Sequence, residues 1–266
     1  IGYGKDNGTV ISYGMRNWHG ITMQHNLTYS KALGTGAVVQ ASSEYTANDP
    51  FNLGAMYGEQ NFDRRIVYNA YMVLDEPWFK EQHGLVGRVA GGWQFAPIFT
   101  AGSGAPVYCN TFTDAQGWGS GDGGSYFDNE QCVFTSKYNA GHSSHQGVTG
   151  SNGVGTATSA TPVNLFSNPE SVYNQVRAPI LGIDTKNPGT GPFMGLGYWN
   201  LSSQLKKSIR IAESATFEFS FIATNMLNHR IFNDPGLDLS NPSSWGVLDS
   251  QSNSPRQMEF GGRITF

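Results

Sequence analysis

His142 and His145 are the residues whose type and spacing first suggest chemistry: two imidazoles three positions apart can share a metal ion. They lie in a Gly/Ser/Thr/Ala-rich run, 139–161, with no regular element to hold them, so no metal site is assigned. Upstream, Asp122, Asp128, Asn129 and Glu130 gather oxygen ligands around Gly121, Gly123 and Gly124. Their spacing is not that of an EF-hand, and a solvated acidic loop competes with calcium as the reading. Trp118 and Tyr126 stand among these acids. Aromatic rings beside a few polar groups are what ligand sites use, so Trp118, Asp122, Tyr126 and Asp128 form the candidate ligand-binding set. The alternative is that the same rings only pack the loop. Cys109 and Cys132 flank the set; a disulfide formed in an oxidising compartment is the simplest reading, against a pair of free thiols. Zinc would want a paired CxxC pattern, which is missing. The sequence has no GxSxG elbow, Walker loop, HExxH or dinucleotide fingerprint, so neither an enzyme nor a cofactor is expected.

The bulk of the chain narrows the class. Its 266 residues include 34 Gly, and only 14% are charged, below the roughly 25% of an ordinary soluble domain. A net charge of −4 leaves no basic footprint for nucleic acid. No apolar run approaches the ~20 residues of a helical span. Strands of a membrane barrel are short and half apolar, so a barrel stays open as a reading. No leader is visible at Ile1, and we expect it to have been removed or the upstream protein to be missing.

The elements that must position any site are strands. Residues 256–266 alternate throughout: Met258, Phe260, Gly262, Ile264 and Phe266 on one side, Gln257, Glu259, Gly261, Arg263 and Thr265 on the other. A period of two means an extended strand. Similar alternation marks strands at 21–29, 66–74, 93–100, 199–209 and 216–224, and a weaker one is centred on Thr9, Val10 and Ile11 and ends near Tyr13. Pro97 predicts a bulge or local break in its strand, and Lys207, on an apolar side, predicts snorkelling toward an interface.

Connections at 16–20, 76–91 and 211–214 alternate with longer ones at 33–62, 104–196 and 229–255. Outer-membrane barrels alternate short periplasmic turns with long external loops in this way. Trp18, Trp78, Trp93 and Phe266 then collect at the short-turn end, as a membrane girdle requires. Lys206, Glu218, Glu259 and Arg263 fall on the wet side, facing a lumen. The expected fold is all-β: an antiparallel transmembrane β-barrel in one domain, 1–266, about seven strands of it present here.

Several segments resemble the C-terminal half of TonB-dependent outer-membrane receptors, in the subgroup with an N-terminal carboxypeptidase-regulatory-like domain. They are Asp63-Arg64-Arg65, Gly92-Trp93-Gln94 with Ser103-Gly104-Ala105-Pro106, Phe217–Phe221 running into Asn225-Met226-Leu227-Asn228-His229, and Pro255–Phe266. The resemblance implies a barrel of roughly 22 strands around an N-terminal plug, of which this chain would supply the last third. It also implies a TonB-type energy-coupling protein acting through that plug, outer-membrane lipid as surroundings, and uptake of a scarce nutrient. Neither plug nor coupling box is among these residues. Two rivals remain: a secreted all-β binding or adhesion module, and a structural outer-membrane barrel or porin without energised transport.

Overall fold

The structure, a computed structural model, describes residues 2–35, 52, 54, 57–111, 130–135, 143–149, 153–155, 163–178, 180, 183–184, 193–212 and 214–266. Seven long strands form one antiparallel sheet in chain order: β1 (Gly4–Trp18), β2 (Ile21–Gly34), β3 (Ile66–Asp75), β4 (Trp93–Gly102), β5 (Tyr198–Ala212), β6 (Ala215–Thr224) and β7 (Gln257–Thr265). The sheet is open. Among the described residues β1 pairs only with β2, and β7 only with β6.

Register assembles the alternating side chains into two continuous faces. One row runs Ile11–Leu27–Tyr68–Ala101–Trp199; another runs Leu74–Phe95–Leu205–Phe221–Phe260. Because neighbours across a ladder share a face, the apolar sets of all seven strands fuse into one apolar surface. It stays uncovered: Ile11, Tyr13, Tyr29, Met258, Phe260 and Ile264 are all exposed. Rings stitch it together, with Tyr13, His25, Tyr68, Phe99 and Trp199 in successive contact. His25 therefore packs in this row, its Nδ1 2.6 Å from the Tyr68 hydroxyl.

Two local expectations need correction and one, at Pro97, is narrowed. β1 does not stop near Tyr13 but runs to Trp18, bending where the register shifts after Met15. Gly20 makes the following turn possible, because it is left-handed (φ 84°) and a Cβ there would meet the Asp75 carbonyl oxygen at 2.4 Å. Pro97 interrupts the β3–β4 ladder between the Tyr71–Ile98 and Leu74–Phe95 pairs, yet the register on either side is the same, so this is a break without a bulge. The 76–92 connection is not plain loop, since it carries helix α1 (Gly84–Ala90).

The described residues within 104–196 take their order from short, non-local ladders that leave no period in the sequence. Pro106–Val107 pairs with Phe193–Met194, Asn110–Thr111 with Glu130–Gln131, and Val133–Phe134 with Val176–Arg177. Val163–Phe166 lies between Ser143–Thr149 and Val247–Leu248, so the 104–196 and 229–255 connections fold together. Their shared core contains Leu165, Phe166, Val172, Phe193, Leu237 and Trp245, and the largest fully buried side chains of the described protein are found there. Helix α2 (Pro169–Tyr173) closes one side; Asn168 caps it by accepting the Ser171 N–H at 3.0 Å.

Candidate functional site

The polar face of the sheet carries the first candidate surface. Toward the end with the tight turns, Gln94 on β4 donates to Asp75 on β3 at 2.7 Å. Gln94 sits opposite Lys206 on β5, whose Nζ is 2.7 Å from a Glu218 carboxylate oxygen on β6. Glu218 in turn lies opposite Arg263 on β7. A polar chain thus crosses five strands, stepping diagonally by two residues between Lys206 and Glu218. Glu259 shares this face two residues away from Gly261 in the same strand, opposite Ile222. On the same face, toward the β1 edge, Ser12, Asn26, Gln24 and Tyr71 continue the hydrogen bonding. The four residues expected to face a lumen therefore lie together on one polar surface, with groups suited to holding polar solutes or a polar protein surface.

The ends of the strands are fixed by the sequence segments singled out above. Arg64 donates to the Ser103 carbonyl at 2.7 Å and lies 5.0 Å over the Tyr198 ring. Ser103 also accepts the Ile66 N–H through its hydroxyl at 3.1 Å, so β3, β4 and β5 are tied at one corner. Arg65 pairs with Glu59 and Asp63, and buried Asp63 accepts the Ala32 N–H at 3.0 Å. After β6, buried Asn225 donates to the His229 and Ser254 carbonyls at 3.0 and 3.1 Å and accepts the His229 N–H at 2.9 Å. These polar residues lock the connections and carry no catalytic arrangement. Among the described residues no group of three His, Cys, Asp or Glu could hold a metal ion.

The disulfide is present: Cys109 and Cys132, 23 residues apart and both buried, are bonded within the loop core. Tyr108 beside it donates to the Glu59 carbonyl at 3.3 Å, and Asn110 exchanges backbone hydrogen bonds with Leu237 and Leu239, both at 3.0 Å. Trp118, Asp122, Tyr126 and Asp128 lie outside the described residues, as does His142; of His145 only the backbone is described.

Trp18, Trp78, Trp93 and Phe266 all lie at the tight-turn end, and all are exposed, Trp78 at 82% and Phe266 at 92%. Three of them, Trp18, Trp78 and Trp93, line one cavity of about 870 Å³ on the apolar face. Lys207 departs from expectation. It does not reach toward an interface; it is 6% exposed and donates to the carbonyls of Arg88 (2.6 Å), Val89 (3.2 Å) and Gly91 at the C-terminal end of α1. The spacing of Leu85, Val86, Val89 and Ala90 was the available signal for that helix.

Comparison with known families agrees with this architecture. A family model described as an outer membrane beta barrel domain matches residues 2–259, and the chain belongs to that family. No curated protein and no solved structure matches it. Membership gives an outer-membrane location in a Gram-negative-type bacterium and turns the exposed apolar face toward hydrocarbon. The secreted-module rival falls with it. Members of such a family are typically not enzymes.

Proposed function

We propose that this chain is wall and external loops of a TonB-dependent receptor that imports a scarce nutrient, with no catalytic step of its own. The observation that carries the reading is the polar chain Asp75–Gln94–Lys206–Glu218–Arg263 across five strands of an open wall. Water or polar protein can satisfy such a face, and the segments Asp63-Arg64-Arg65 and Pro255–Phe266, which resemble those of TonB-dependent receptors, favour a plug inside a larger barrel. Two unpaired strand edges in hydrocarbon would leave backbone groups without partners, so further strands pair with β1 and β7. The resemblance puts the total at roughly 22. Residues 1–266 then form one domain, and Lys206, Glu218, Glu259 and Arg263 face the plug. Trp18, Trp78, Trp93 and Phe266 form the girdle against outer-membrane lipid, and Trp118, Asp122, Tyr126 and Asp128 serve the external capture site. Energy enters through a coupling protein that reaches the plug.

The rival, a structural barrel or porin, shares every feature of the wall and differs in having an open lumen. Planar-bilayer recording on the full-length protein separates the two. A plugged receptor gives no steady conductance until the plug is displaced with denaturant. A steady, ungated conductance in the untreated protein would refute the transporter reading and leave the porin.

A further inference from the structure

We propose that the 870 Å³ groove on the apolar face binds one acyl chain of a phospholipid of the periplasmic leaflet, beside a helix that Lys207 pins to the outside of the wall. Its floor is a single row across four strands: Ile21, Leu74, Phe95 and Leu205 are successive register partners. That row belongs to the face turned toward hydrocarbon, so the groove is a hollow in an interface that lipid already covers. Its volume falls in the range of about 300–1,000 Å³ common to small-molecule sites.

The walls point to the same occupant. Trp18, Trp78 and Trp93 are the amphipathic rings favoured at the level of lipid headgroups. The Asp75 side chain turns to the opposite face toward Gln94, so the polar side chains of the rim are His19 and Glu76, where the strands give way to turns. Apolar floor toward the bilayer and polar rim toward water match the order of tail and head in a phospholipid.

Helix α1 is joined to the groove through Trp93, which lines it and donates to the Val89 carbonyl. Lys207 lies on the apolar face opposite Trp93 and Phe219, where an unpaired ammonium would be costly. It is satisfied by α1 carbonyls and sits 5.1 Å over the Trp93 ring, while Trp93 Nε1 donates to Val89 at 2.9 Å. The helix is therefore moored to the outer surface rather than projecting into the periplasm. It shows Leu85, Val86 and Val89 outward, flanked by exposed Lys80 and Arg88, the pattern of a segment lying in the membrane surface. A water-facing turn has no reason to expose three aliphatic side chains and Trp78 together.

This proposal rests on the outer-membrane location and not on energised transport, so an open porin would leave it standing. The test uses full-length protein in vesicles containing phosphatidylethanolamine with a diazirine in one acyl chain. After photolysis, peptide mapping is expected to find labels concentrated at Trp18, Trp78 and Trp93, several-fold above equally apolar positions on β6 and β7. In native mass spectrometry after a delipidating wash, wild-type protein is expected to keep one phospholipid. Ile21→Trp, which fills the floor, and Lys207→Met, which unmoors α1, are expected to lose it, while Tyr29→Ala at the far end of the same face keeps it. Labels spread evenly over the apolar face would overturn the proposal, as would retention unchanged in folded Ile21→Trp. Should that variant not fold, the labelling of the wild type decides.

Discussion

Reducing or deleting the Cys109–Cys132 bond is expected to loosen the external loop core while leaving the membrane wall intact. The two cysteines are 23 residues apart. Chain-entropy arguments give such a closure about 3.4 kcal/mol, and typical losses fall within about 2–4 kcal/mol. Cys109 and Cys132 are packed among Val107, Leu165 and Val172, so the effect should appear in local opening of this core. Among the described residues, Tyr108 beside the disulfide donates to Glu59, in the short strand Gly58–Glu59 that pairs with β2. Proteolysis that follows the open population converts about 3.4 kcal/mol into roughly 300-fold faster cleavage. The assay is thermolysin digestion of the full-length protein in outer-membrane vesicles, comparing wild type with Cys109→Ser/Cys132→Ser. Cleavage should fall within residues 104–196, and the heat-resistant gel mobility of the folded barrel should persist. An acceleration below about tenfold would mean the bond contributes less than about 1.4 kcal/mol and refute the reasoning. Loss of barrel mobility would show that wall and loops are not separable.

Three further outcomes follow from the same packing. Trp245→Ala removes a ring with no exposure from contacts with Phe166, Tyr173 and Phe193; it should cost the loop core about 3–5 kcal/mol by the same proteolysis assay. Lys206→Ala breaks a pair on a wetted surface and should change barrel stability by no more than about 1 kcal/mol, measured by urea unfolding. Acid should weaken the loop core through Asp184. Hydrogen bonds from Arg177 at 2.6 and 2.9 Å, with the Ile180 N–H, hold the Asp184 carboxyl below its ordinary range. With the folded value depressed, the stabilisation is complete above the unfolded value of about 3.9 and is lost as pH falls through the folded one. Proteolysis by pepsin should steepen across that window in wild type and less so in Asp184→Asn.

The wall was legible in the sequence because a strand writes its two faces in every second residue, and a membrane barrel exposes one of them to oil. Phe217, Phe219 and Phe221 against Glu218 and Ser220 could be assigned to faces without knowing any neighbour. The loop core was not legible. Phe166, Phe193 and Trp245 are separated by 27 and 52 residues and meet only after the ladders form; strands as short as Pro106–Val107 have no period to read. Lys207 misled for a related reason. Alternation placed it correctly on the apolar side, but its partners are backbone carbonyls of α1 that no pattern in β5 announces. The disulfide was readable from the two cysteines; the site residues around Trp118 and Asp122 stay at the level of the sequence.

The central claim is that the apolar face meets hydrocarbon and the polar face meets water, and a nitroxide scan of residues 257–265 in the full-length protein tests it most directly. In bilayers, collision with oxygen should be high at Met258, Phe260, Gly262 and Ile264, and collision with a water-soluble nickel chelate high at Gln257, Glu259, Gly261 and Arg263. Alternation in the opposite phase, or low accessibility to both probes at Phe260 and Ile264, would put those side chains inside a protein core and contradict the claim.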